Sequence, residues 1–131
     1  MSAQSEKRLL QIVMALACMV PLAAGLLGMA RGAAMVDVAQ GATLDSHIRY
    51  LSGLLFGIGL AFASTIPAIE THRARITLLT SFVAIGGLAR LYGVLVDGWP
   101  EPAMIFALGM ELGVTPLVWL WQRRLAARWS A

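Results

Sequence analysis

Four apolar runs, each about 20 residues long, alternate with polar stretches along the chain: 9–29, 50–69, 76–96 and 103–121. A helix rises about 1.5 Å per residue, so each run has the length needed to cross a hydrocarbon core of about 30 Å. The pattern predicts an all-α protein, a four-helix transmembrane bundle forming a single domain over residues 1–131. Pro21, Pro67 and Pro116 fall inside the runs, where spanning helices tolerate them better than soluble ones do. The stretch "DGWPEP" between the third and fourth runs carries two prolines. It predicts a tight turn joining antiparallel neighbours. The first connector, 31–49, is long for a small bundle. Its "AAMVDVAQ" portion reads equally as a short surface helix or as an ordered loop. No internal repeat relates the first two runs to the last two.

Composition strengthens this picture. Of 131 residues, 59% are hydrophobic and 13% charged, against roughly half and a quarter in soluble domains; the mean hydropathy is +0.76. So little charge cannot clothe a globule in water. The single cysteine, Cys18, rules out an intrachain disulfide and a cysteine metal cluster. The net charge of +3 does not imply nucleic acid, because the basic residues cap the apolar runs without interleaved aromatics.

Lys and Arg placement sets the expected direction. With the N-terminus in the cytoplasm, Lys7, Arg8, Arg73, Arg75, Arg123, Arg124 and Arg128 lie inside, and only Arg31 and Arg49 outside. Asp37, Asp45, Asp97 and Glu101 join the outer segments. Both termini are thus expected in the cytoplasm, with the chain in a bacterial cytoplasmic (inner) membrane. Trp99 marks the outer boundary, and Trp119, Trp121 and Trp129 the inner one. A cleaved signal segment is the competing reading of the first run, but its apolar core is long for that and "RGAAM" is a mediocre cleavage site.

Two charges break the third and fourth runs. Arg90 lies six residues, or about 9 Å, below the outer end of the third. Glu111 lies eight residues, or about 12 Å, below the start of the fourth. Antiparallel neighbours bring them to similar depth. Each alone costs about 2.5–3.5 kcal/mol at a helix centre, and an ionisable residue there marks a functional site by default. Gly86 and Gly87 share the face of Arg90. Gly109 and Gly113 form a GxxxG pair on the face opposite Glu111, and Gly53 and Gly57 form another in the second run; such pairs are helix-packing devices. Arg49 opens the second run at the outer surface, with Asp45, His47 and Asp97 just above. The candidate polar site is therefore Arg49, Arg90, Glu111, Asp45 and Asp97. The competing reading is that Arg90 and Glu111 only lock two helices in register. Asp45 and His47 have metal-ligand spacing but no firm third partner, so neither a metal nor another cofactor is expected.

The segments "LDSHIRYLSGLLFGIGL", "GGLARLYGVLVDGWP" and "MELGVTPLVWLWQRR" together resemble the bacterial four-span membrane family known as domain of unknown function 4345. The residues carrying the likeness are Asp45, Arg49, Gly53, Gly57, Gly86, Gly87, Arg90, Gly98, Pro100 and Glu111, within about residues 9–125. The Arg-x-x-x-Gly opening of the second run is also similar to the wider DoxX-like group. The resemblance implies the architecture and the polar constellation, and no activity.

Three function classes stay open. The first is a membrane subunit that binds a lipid or small amphipathic molecule, or supports a larger complex or homodimer. The second is a proton-coupled small-molecule transporter using Glu111. The third is a membrane-embedded isomerase or cyclase using Glu111 as general acid. The third ranks last, because Arg90 opposes protonation of Glu111 and no second catalytic group stands at that depth.

Overall fold

The computed structural model describes residues 2–35 and 41–129. Its elements are helices α1 (Ala3–Arg31), α2 (Ala42–Ala63), α3 (Arg73–Asp97), α4 (Pro102–Gly109) and α5 (Thr115–Trp129). A 3₁₀ turn, Gly32–Met35, follows α1, and another, Ile66–Ala68, follows α2. A π-helical segment, Met110–Val114, joins α4 to α5 in one continuous rod. Four stretches are long and apolar enough to cross a membrane: Ala3–Met35, Ala42–Ala68, Arg73–Asp97 and Pro102–Trp129. No strand occurs among the described residues. Large apolar side chains face outward along all four, including Leu16, Leu60, Leu95 and Leu117. That is the surface a hydrocarbon solvent selects, and it leaves backbone polar groups paired within helices.

The helix bounds depart from the apolar runs at their polar ends. α2 begins at Ala42, so Asp45, His47 and Arg49 belong to a helix rather than to the connector expected over 31–49. Hydropathy misses this start because "ATLDSHIR" is polar, while its contacts, described below, hold it helical. Of the "AAMVDVAQ" portion, Ala33–Met35 lie in the 3₁₀ turn; residues 36–40, Asp37 included, lie outside the described residues. α1 starts at Ala3 and α5 continues to Trp129, both beyond the apolar limits.

The chain divides into two compact units. One comprises residues 14–66. There α2 meets α1 along a stripe at helical spacing: Ser52, Phe56 and Gly59. A side chain on Gly25 would sit 2.7 Å from the Phe56 nitrogen, and one on Gly28 would collide with Ser52 Oγ. A Cβ on Gly59 would press on Leu22 at 3.1 Å. These small residues let the two backbones approach.

The other unit comprises residues 1–13 and 67–131. Its core gathers Leu10, Ile69, Ile76, Leu125 and Gln122, all fully buried. On α3 the buried positions Ile76, Leu79, Thr80 and Gly87 form one helical stripe; Val118, Gln122 and Leu125 form another on α5. The turn after α3 runs through Gly98, whose φ of 95° only glycine adopts readily. Pro102 then opens α4, where its missing N–H has no helical partner to lose.

Candidate functional site: the Arg90–Glu111 pair and its recess

Arg90 stands on the third of α3 nearest the "DGWPEP" turn, and the π segment delivers Glu111 to it. Pro116 has no N–H, and in a regular helix its ring would meet the carbonyl four residues back. The chain widens just before it. The Met110 carbonyl accepts both the Thr115 N–H and the Thr115 hydroxyl, the latter at 2.8 Å. Such π turns concentrate at functional positions.

The two charges meet as a two-pronged pair: Arg90 Nε donates to Glu111 Oε2 and Nη2 to Oε1, each at 3.0 Å. Parallel bonds of this kind fix geometry as well as charge. Nη1 reaches Met104 Sδ at 3.1 Å. The pair is not sealed: the side chains are 33% and 19% exposed. A recess of about 290 Å³ opens beside it, lined by Arg90, Gly93, Asp97, Gly98, Pro100 and Met104. Asp97 follows Arg90 by seven residues and so shares its face. The recess thus has a guanidinium at one depth, a carboxylate nearer the turn, and glycine and methionine walls between.

Gly87 is the close-packing glycine of this unit. A Cβ there would lie 2.8 Å from Leu112 Cδ2 and 2.9 Å from Glu111 Cβ, so its absence lets the π segment lie against α3. A Cβ on Gly57, Gly86, Gly109 or Gly113 would meet nothing within 4 Å, and one on Gly53 would make only ordinary contact with Met29 at 3.6 Å. GxxxG spacing identifies small-residue faces, but the rotation of each helix decides which glycine is pressed.

Asp45 and Arg49 form a separate cluster in the unit of residues 14–66. Arg49 Nε donates to Asp45 Oδ2 at 2.7 Å, and its Nη1 donates to the Met29 carbonyl at 2.6 Å and the Ala30 carbonyl at 3.1 Å. These carbonyls end α1 and lack partners in their own helix. Asp45 Oδ1 accepts the Ala33 N–H at 2.9 Å. Gly32, at φ 53°, turns the chain in the left-handed conformation typical just past a helix end, and a Cβ there would collide with Asp45 Oδ1. The cluster clasps the end of α1. His47 bonds through Nδ1 with the Thr43 carbonyl at 2.9 Å. No group of three His, Cys, Asp or Glu residues suited to a metal occurs among the described residues.

Hydropathy passes over a third polar group, where the start of α1 meets the end of α5. Glu6, only 4% exposed, accepts from Trp121 Nε1 at 3.1 Å and from Arg128 Nη1 at 2.6 Å. Lys7 Nζ bonds Glu70 Oε1 at 2.7 Å and lies 5.1 Å from the centre of the Trp129 ring. Burial opposes ionisation of Glu70. The hydrogen bond from Lys7 and the positive charges of Lys7 and His72 outweigh that, and hold its carboxyl below the ordinary range. Gln122 donates to the Ile69 carbonyl at 2.8 Å. The available signal was acidic residues sitting in an otherwise basic segment.

Four membrane-length helices with charged groups paired inside them define a small multi-pass membrane protein. The family model for the domain of unknown function DUF4345 matches residues 9–122, and the chain belongs to that family. No curated protein and no solved structure matches the chain.

Proposed function

We propose that this protein is a small membrane-embedded binding or accessory subunit. The Arg90 recess takes the polar head of a small amphipathic molecule or of a partner's side chain. The observation carrying this reading is the open recess beside a charge pair that does not close it. Its volume of about 290 Å³ lies at the lower edge of the range of small-molecule sites. Arg90 offers a donor and Asp97 an acceptor to one visitor. Both oxygens of Glu111 are engaged by one guanidinium, which favours a fixed positioning role over a carboxylate that must cycle through proton exchange. The charge bias and the meeting of Glu6 with Arg128 support termini on one side of the membrane, the cytoplasmic one, in a bacterial inner membrane. The recess would then lie in the outer leaflet.

Native mass spectrometry after extraction in mild detergent tests the reading. A bound small molecule or partner chain should travel with the wild-type protein and be lost from Asp97→Leu, which narrows the recess while leaving the Arg90–Glu111 pair. Identical, unloaded spectra from membranes of the native host would sink it.

A further inference from the structure

A second cavity, of about 720 Å³, opens along the first half of α3, far from the "DGWPEP" turn, and is lined by Thr71, Arg73, Thr77, Leu78, Ser81 and Arg123. We infer that it is a binding site for an anionic phospholipid, with the lipid phosphate between Arg73 and Arg123 and an acyl chain along Ala74, Leu78 and Ser81.

Charge is the first argument. The cleft holds two guanidinium groups, from α3 and α5, and no carboxylate. Neither arginine forms an ion pair with a described carboxylate. Two cations facing one cavity repel each other until an anion lies between them, and arginine's fork suits phosphate oxygens.

The second argument is that Arg123 is held in place without being neutralised. Its guanidinium lies over the Trp119 ring, 5.0 Å from the centre. Such a contact orients a cation and leaves its charge in place. Trp119 is fixed in turn, its Nε1 donating to Thr77 Oγ1 at 2.9 Å, while Thr77 Oγ1 donates to the Arg73 carbonyl at 2.8 Å. One chain of contacts therefore links both arginines across the cleft.

The third is the gradient of polarity along the axis. Arg73 and Ser81 are eight residues apart on α3, about 12 Å. The Ser81 hydroxyl donates to the Thr77 carbonyl at 2.9 Å, so the deeper wall presents mostly carbon. Charge at the rim and apolar surface below match a phospholipid rather than a free ion. Trp119, which backs the lining residues Thr77 and Arg123, is a residue type that membrane interfaces favour. This inference rests on different residues from the Arg90 recess and stands apart from it.

The test places the full-length protein in nanodiscs of phosphatidylcholine with a minor fraction of phosphatidylglycerol, then counts lipids retained by native mass spectrometry. Wild type should keep phosphatidylglycerol in preference to phosphatidylcholine. Arg73→Gln and Arg123→Gln should each weaken retention about fivefold, the effect of one basic residue near an anionic surface, and the double variant more than either. Arg73 is exposed, and its one bond to a described side chain runs through its backbone carbonyl, which Arg73→Gln retains, so this variant keeps the test valid should the double variant misfold. Equal retention of both lipids by wild type, or unchanged phosphatidylglycerol retention in folded Arg73→Gln, overturns the proposal. A parallel titration with inorganic phosphate separates the sources: protection from lipid loss by phosphate alone, at millimolar level and with no lipid selectivity, overturns the lipid assignment.

Discussion

Replacing Arg90 and Glu111 one at a time and together measures what the membrane charges are for. Removing one partner of a fully buried ion pair costs about 3–5 kcal/mol, because it strands the other. Here the two side chains keep 33% and 19% exposure and a recess opens beside Arg90, so the protein does not fully enclose the survivor. About 1–3 kcal/mol is then expected for Arg90→Gln or Glu111→Gln alone. The double change strands no charge. It loses the two 3.0 Å bonds and the desolvation they offset, and should cost no more than the worse single change. The cycle thus predicts a coupling at least as large as the smaller single loss, about 1–3 kcal/mol, well beyond the roughly 0.3–0.5 kcal/mol scatter of independent sites. The assay is reversible unfolding in mixed micelles, each variant titrated with denaturing detergent under one lipid composition. Additive losses would refute the idea that the two charges act as a unit, whatever the recess binds.

Neighbouring glycines on α3 give an internal control. Gly87→Ala should destabilise by about 1–3 kcal/mol, the usual cost of overpacking, since a Cβ meets Leu112 and Glu111 within 3 Å. Gly86→Ala, with open space around it, should be neutral or gain up to about 1 kcal/mol from helix propensity; the same unfolding titration reads both. Acid should weaken the unit that holds Lys7 and Glu70. The folded carboxyl of Glu70 titrates below its unfolded value, near 4.3. Its stabilisation is therefore complete above that pH and fades as pH falls through the folded pKa. Thermal unfolding of Glu70→Gln should lose this dependence below about pH 4.3, and an unchanged acid limb would contradict it.

Much of the architecture could be read from hydropathy alone, because a hydrocarbon solvent makes span length a strong signal. Depth arithmetic was also enough to bring Arg90 opposite Glu111: a tight turn and two residue counts leave them about 3 Å apart along the axis. Besides the Glu6 and Lys7 ion pairs, three things escaped. The start of α2 looked like loop, because Asp45 and Arg49 earn their helical place through bonds to the end of α1, which no local window contains. The π segment escaped because Pro116 in a spanning run is unremarkable until the Met110 carbonyl is seen to accept both the N–H and the hydroxyl of Thr115. Gly87, named beside Arg90 from its spacing, is a pressed glycine, but the rest escaped because spacing names a face and not its azimuth: Gly25 and Gly59 are close to neighbours, whereas Gly57, Gly109 and Gly113 are not.

The wide turn at Met110–Val114 acts as a phase break in the last rod. Because it takes up about one residue more than an α turn, the angular positions of α5 are set independently of those of α4. α4 can therefore aim Met104 toward the recess while α5 turns Trp119, Gln122 and Arg123 toward surroundings of another kind. A straight helix of the same length would have had to compromise between the two ends. One rod thereby works as two differently keyed ones, which is how so short a chain can keep a neutralised pair at one depth and a pair of bare cations at another.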